Sequence, residues 1–282
     1  MNIRRAMLAA LTVLTAALAC VVPGLPSASQ PAPTVDTRLE IMVAETVSAA
    51  LAQTQQSVPT PTLPPTSTST PTATVSPTPE TNSSASSLTK LDDGSTYFAD
   101  SLVEFEITIP AGWLAVRINQ QEYLDAWLLP ELANPALQRS LGSIENLDPT
   151  ELRLFVLDIQ EGHTEIDFVT NINFYWDKSS DLSLENDEDL KAEAATLPQA
   201  LPGLEVTATE ISATSLGIPV GSITSKTPVT TLGGVNLEIF QKQVFVKVGE
   251  GVLIITLSTT EELKQATLSQ FDAAIDTMAV GK

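Results

Sequence analysis

The sequence predicts an α+β fold, an α/β/α sandwich with a mainly antiparallel sheet, preceded by a disordered tether. Three observations predict it. The last stretch, Gly233 to Val280, holds two β-branched-rich strands, a Gly-Glu-Gly turn and one amphipathic helix. Strand patterns upstream follow one another with no obligatory helical crossover, which favours antiparallel pairing. From Pro59 to Pro79 the chain is low-complexity and carries no pattern that could build a core.

The last stretch sets the expectations for the rest. Val235 to Ile239 alternates apolar and polar, the period of a half-buried strand. From Phe240 the phase slips, and Val244, Val246 and Val248 carry the apolar face. A slip of one residue predicts either a β-bulge near Gln241–Gln243 or a strand buried on both sides. Gly249-Glu250-Gly251 predicts a tight hairpin. Val252 to Leu257 is almost continuously apolar, as in a strand covered on both faces. Thr259 and Glu262 have capping-box spacing. Leu263, Thr267, Phe271, Ile275 and Met278, with Leu268 alongside, form a stripe that should lay a helix on the sheet.

The N-terminus reads as a targeting segment. Met1 to Arg5 is a short positive head, and Ala6 to Ala19 is an apolar run broken by Thr12 and Thr15. That is the plan of a secretory signal peptide over 1–19, short for a membrane span. The run ends Ala17-Leu18-Ala19-Cys20. It resembles a bacterial lipobox, with Ala17 where leucine is usual, and the resemblance implies that Cys20 is acylated and becomes the mature N-terminus. The chain has one cysteine, and it stands at this place. A diacyl group supplies two chains, enough for stable anchoring. Without acylation, Ala17-Leu18-Ala19 or Ser27-Ala28-Ser29 offers an ordinary cleavage site, and the protein would be secreted.

Residues 20–94 are expected to tether the domain. Thr37 to Thr54 has a capping box and a Leu39, Val43, Val47, Leu51 face, the marks of a short helix that is marginal alone. Pro59 to Pro79 holds seven Pro, eight Thr and three Ser in its 21 residues, which leaves nothing to bury. It is expected to be extended and polyproline-like, reaching roughly 65 Å at ~3.1 Å per residue. Asn82 to Thr89 continues the linker.

The domain is expected from 95 to 282. Leu102 to Ile109 is a strand with Phe105, Ile107 and Ile109 on one face, and Pro110-Ala111-Gly112 turns the chain into Trp113 to Ile118 as a meander. Glu122 to Leu141 reads as helix interrupted near Pro130 and Pro135, carrying Tyr123, Trp127, Leu128 and Leu132. Leu152 to Ile159 and Asp167 to Trp176 are strands; Ser183 to Ala200 is a helix with acid in its first turns. Leu204 to Ala213 and Ile218 to Lys226 are strands leading into the final hairpin.

Phe105-Glu-Ile-Thr-Ile-Pro-Ala-Gly-Trp113, the order of elements, and Phe271-x-x-x-Ile275-x-Thr-Met278 together resemble the PsbP-like family, over roughly residues 96 to 280. That family comprises photosystem extrinsic proteins, Ran-binding Mog proteins and bacterial lipoproteins. The resemblance implies an α/β/α sandwich and a non-catalytic binding or assembly role. The matching positions are packing positions and carry no active site.

Charge narrows the function. The formal net charge is −20. Binding nucleic acid needs clustered Lys and Arg, so nucleic acid is excluded as a partner. His163, in Glu161-Gly-His-Thr-Glu165, is expected as an exposed loop residue; one His and one Cys do not make a zinc site. Asp181, Glu185, Asp187, Glu188 and Asp189 have the oxygen chemistry of calcium ligands without EF-hand spacing, and read as a solvated helix start. Tyr123, Trp127 and Trp176 are candidates for a ligand groove or for core. No nucleophile elbow, P-loop or dinucleotide fingerprint is present, so no catalytic residue, metal or cofactor is assigned. The expectation is a membrane-anchored extracytoplasmic lipoprotein whose domain binds a protein or a small ligand. Two alternatives stand beside it: an extracytoplasmic hydrolase using a carboxylate pair, and a passive surface protein whose tether is the function.

Overall fold

The structure, a computed structural model, describes residues 85–164 and 167–281. Cys20, the 37–54 segment and the Pro59–Pro79 stretch lie outside the described residues. The described chain is α+β with antiparallel pairing throughout.

Four strands come first: β1 (Ser86–Lys90), β2 (Thr96–Asp100), β3 (Phe105–Ile109) and β4 (Trp113–Val116). They are followed by α1 (Gln121–Ala126), a 3-10 turn at Pro130–Ala133 and α2 (Pro135–Ser143). Next are β5 (Leu152–Asp158), β6 (Asn171–Asp177), α3 (Asp187–Ala194) and α4 (Leu197–Ala200). The chain finishes with β7 (Glu205–Ala213), β8 (Pro219–Thr230), β9 (Asn236–Val248), β10 (Gly251–Thr260), α5 (Lys264–Asp276) and β11 (Ala279–Val280). Prolines shape the helices as expected: Pro130 and Pro135 start new turns, and Pro198 sits at the start of α4, splitting the predicted 183–200 helix.

Two sheets result, a large one in the order β4-β5-β6-β10-β9-β8-β7 and a small one in the order β1-β2-β3-β11. Strand side chains alternate between faces, so the inner strands of the large sheet feed two cores. One face carries Leu154, Val156, Phe174, Leu253, Ile255, Leu257, Val244 and Val246, and packs on the small sheet and α5 through Phe105, Ile107, Phe271 and Met278. The other carries Phe155, Leu157, Tyr175, Ile254, Phe245 and Ile223, and packs on the layer of α1 to α4 through Tyr123, Leu137, Leu141, Leu190 and Leu197. Burial on both sides explains why β10 has no exposed residue.

Several expectations are corrected. β3 and β4 do not form a hairpin: β3 pairs with β2 and β11 in the small sheet, whereas β4 pairs with β5 at the edge of the large sheet. The Pro110-Gly112 turn fixes a change of direction, and Phe105 and Trp113 are buried in the same core from the two sheets that enclose it. Ser86–Lys90, assigned to the linker, is strand β1 in register with β2. β9 has no bulge at 241–243, because it pairs continuously with both neighbours; its phase slip reflects two-sided burial. Bulges fall instead at Leu152/Leu154 and Val206/Ala208. Thr259 does not cap the last helix. It stays in β10 opposite Phe240, and its hydroxyl meets Thr170 and Thr267. The hairpin holds as predicted, with Val248 opposite Gly251 and Gly249 at φ +53.

The small sheet is tied to the large one by a buried ion pair. Arg153 of β5 donates its Nε to Asp100 at 2.7 Å, with Asp100 fully buried. The other Asp100 oxygen accepts from the backbone N–H of Leu102 and Val103.

Candidate functional site

Three places in the described chain combine polar or apolar chemistry with an unusual setting. The first is the end of β5. Asp158 is fully buried, and its carboxylate accepts from the Gln160 backbone and side-chain amides at 3.1 Å each. Its second oxygen lies 2.6 Å from His163 Nδ1. Gln160 also reaches Gln270, whose Oε1 accepts from Trp113 Nε1 at 2.5 Å. The loop histidine is therefore half-buried and pinned to a buried carboxylate, not freely exposed as expected. Sequence reasoning missed Asp158 as its partner, although the five-residue separation across a Gly-containing turn was the available signal. The pair fixes the ring; no described nucleophile completes it.

The acidic run assigned to α3 behaves as a helix start. Asn186 accepts from the Glu188 N–H, Asp189 accepts from the Ser183 N–H, and Asp187 pairs with Lys191. The hydrogen bond to Lys191 holds the exposed Asp187 carboxyl below its ordinary value. No group of three or more His, Cys, Asp or Glu able to hold a metal occurs among the described residues.

A cleft of about 390 Å³ beside β2, β3 and β11 gathers Asp100, Glu104 and Glu106. The carboxylates of Asp100 and Glu106 are committed to the fold. Asp100 holds Arg153, and Glu106 takes the Tyr97 hydroxyl, which pushes that phenol's pKa up. Glu104 sits at φ +59 and its carbonyl accepts from Gly281 N. The arrangement positions β11 rather than a bond-breaking pair.

The second place is the end of α1. The three aromatic candidates separate here. Tyr123 is core, with its ring edge-on to Trp127 at 6.3 Å. Burial raises its pKa. Trp176 is half-buried on β6, against Gly251. Trp127 is 40% exposed, beside Leu124 at 58% and Leu128 at 83%. The three are spaced i, i+3 and i+4, so they share one side of the turn. Asp125 and Glu131 flank them in sequence and are exposed. Large side chains so exposed within one turn are uncommon on a monomer unless something covers them.

The third place is a row of buried polar side chains on the helix-facing side of the large sheet. Ile254 lies opposite Tyr175 and Phe245, all apolar and in the helix-side core. Two residues along, on the same face, Thr256 lies opposite Asn173 and Gln243; two further, Ser258 lies opposite Asn171 and Gln241. All six are at most 3% exposed.

No protein-family model matches the chain, and no curated protein matches it. Among solved structures, cyanobacterial PsbP (CyanoP) from Synechocystis is 13% identical, with a TM-score of 0.41, over 73% of this chain and 99% of that one. LpqN of Mycobacterium tuberculosis, described as involved in cell envelope biogenesis, is 9% identical with a TM-score of 0.37, over 70% and 91%. The Saccharomyces cerevisiae Ran-binding protein Mog1p is 10% identical with a TM-score of 0.36, over 69% and 95%. No family assignment rests on values of this size.

Proposed function

We propose that the protein is a membrane-anchored extracytoplasmic lipoprotein whose α+β domain is a non-catalytic binding or assembly module for a protein partner. The observation that carries the binding role is the exposed Leu124, Trp127 and Leu128 turn. An aromatic anchor such as Trp127 is the kind of residue that carries much of the energy in protein interfaces, with the neighbouring leucines excluding water around it. The flanking Asp125 and Glu131 favour a partner with a basic rim around an apolar pocket.

The anchoring half of the proposal rests on the sequence. The apolar run ends at Cys20, and the Pro- and Thr-rich stretch after it suits a spacer that holds the domain off the membrane surface. Cys20→Ser tests it: the variant should leave the detergent phase for the soluble fraction, and an unchanged partition would remove the anchor. The binding half is tested by crosslinking on intact cells, with a chain lacking 85–281 as control. Partners that require the domain support a binding module. A purified full chain that hydrolysed an ester, phosphate or glycoside, and lost the activity on substitution of one carboxylate, would replace it with the hydrolase.

A further inference from the structure

An open cleft of about 260 Å³ lies where the start of β1, the end of β4 and the start of β5 come together, at the seam between the two sheets. Two guanidiniums line it, Arg117 just beyond β4 and Arg153 of β5. No carboxylate belongs to its described lining, although the chain carries 34 Asp and Glu against 14 Lys and Arg, so the cleft runs against the charge of the whole. A β-bulge aims the second arginine. Leu152 and Leu154 would share a face of a regular strand. Here Leu152 packs in the helix-side core and Leu154 in the core under the small sheet, because the register shifts between them. Arg153 is the residue at the shift, and bulges re-aim the side chains they carry.

The donors that remain are set by the bonds already made. A guanidinium carries five N–H groups. Arg153 gives Nε to Asp100 at 2.7 Å and Nη1 to the Pro149 carbonyl at 2.6 Å. Its Nη2 meets no acceptor among the described residues and is not one of the fully buried unpaired atoms, so it reaches solvent where the side chain does, in the cleft. Arg117 gives Nε to Glu122 and Nη1 to the Ser86 carbonyl, which fixes its plane. These bonds have two effects. Asp100 and Glu122 balance the formal charge, so the cleft suits one added negative charge and not two. The held side chains also lower the entropy cost of binding. Beside the donors the wall is apolar: Ile118 and Leu152 are buried, and Leu102 is 49% exposed. A guanidinium binds an ionised oxygen about twice as strongly as a neutral one. An anionic head on an apolar body therefore matches both parts of the lining.

We propose that this cleft binds a small organic acid, a single carboxylate on an apolar body. At about 30 Å³ per water the cleft has room for roughly nine waters, and so for an acid of about that many non-hydrogen atoms. The carboxylate meets the Arg153 and Arg117 guanidiniums, and the body lies against Leu102, Ile118 and Leu152. The cleft shares no residue with the exposed Leu124, Trp127 and Leu128 turn, and neither site depends on the other.

The test uses the full chain with benzoate and hexanoate as probes, each titrated at constant ionic strength while the Nε–H signals of Arg117 and Arg153 are followed by NMR. The expected result is saturable movement of both signals with at least one acid, and none with benzamide, the neutral counterpart of benzoate. Arg117→Gln should weaken that acid about tenfold, the scale of one hydrogen bond to a charged group. Arg117→Lys should restore only part of the loss, because an ammonium lacks the planar fork. Leu102→Ser should weaken hexanoate, and Lys191→Gln, which removes a positive charge from α3, should leave both acids unchanged. If neither acid moves the two signals saturably, the cleft holds only water and the proposal fails. It fails equally if sodium chloride alone reproduces the shifts, if benzamide matches benzoate, or if Arg117→Gln binds as tightly as the unmutated chain. Inorganic phosphate binding more tightly than either acid would overturn the assignment to a singly charged organic acid. Because the arginine signals are read in the unmutated chain, a variant that does not fold still leaves a decision.

Discussion

Asp100→Ala probes the joint between the two sheets. Asp100 is fully buried and accepts three hydrogen bonds: from Arg153 Nε at 2.7 Å, from Leu102 N at 2.9 Å and from Val103 N at 3.2 Å. Removing the carboxylate leaves the buried Arg153 guanidinium with the Pro149 carbonyl as its remaining partner among the described residues, and strands two backbone donors. Breaking one side of a buried pair costs about 3–5 kcal/mol. For a domain of 150–250 residues each kcal/mol moves Tm by about 2–4 °C, so a fall of about 6–20 °C is expected. The partner substitution behaves differently. Arg153→Met leaves Asp100 solvated by two N–H groups, so its loss is smaller. The double variant should recover most of the Asp100→Ala loss, because an apolar replacement of a buried pair is often close to neutral. The assay is urea and thermal unfolding followed by circular dichroism on the four chains of the cycle. If Asp100→Ala falls by less than about 1 kcal/mol, or if the double variant is as unstable as the sum of the singles, the pair does not hold the sheets.

The three tyrosines supply a pH prediction. Burial raises Tyr123 and Tyr175, and the bond to Glu106 raises Tyr97. A raised folded value means stability fully present below the unfolded value near 10 and lost as pH rises above it. Absorbance near 295 nm should therefore show little phenolate at pH 10 in the folded chain and normal titration in urea; equal titration in both would refute it. At the β9–β10 turn, Gly249→Ala should cost about 1–2 kcal/mol through its left-handed φ of +53. Gly251→Ala should cost at least as much by a different route, because its Cβ would meet the Asp177 carbonyl and Trp176 Nε1 at 2.7 Å. Gly249→Asn should restore most of the first loss and Gly251→Asn none of the second, as unfolding midpoints will show. His163→Ala should destabilise by about 1–3 kcal/mol, since one oxygen of the buried Asp158 loses its partner; an unchanged midpoint would mean the pair is incidental.

Much of this architecture is legible in the sequence because burial on both faces leaves a mark. Val252 to Leu257 has no polar phase, and that alone places β10 between two layers. The α5 stripe through Thr267, Phe271 and Ile275 is buried as its spacing requires. What escaped detection shares a cause. Ser86–Lys90 has linker composition because it is an exposed edge strand held by backbone bonds to β2, which leave no side-chain signature. The Pro110-Gly112 turn specifies a reversal and not a partner, so the jump between sheets is a tertiary fact. The polar row escaped for a different reason. Alternation treats Gln241, Gln243 and Asn173 as solvent-facing, and only the helical layer, built from distant sequence, shows them to be inside. His163 was visible as a residue, but the burial of Asp158 that gives it a setting was not.

The proposal that the domain is a binding module meets its most direct test at the exposed turn. Crosslinking on intact cells would compare the full chain with its Leu124→Ser/Leu128→Ser variant. Both positions are solvent-facing, so folding should be preserved, and an unchanged unfolding midpoint checks it. The account predicts a small set of crosslinked proteins that require the domain and disappear, or weaken strongly, in the variant. An identical set captured by both chains would contradict the assignment of this surface, and no domain-dependent capture at all would contradict the binding role itself.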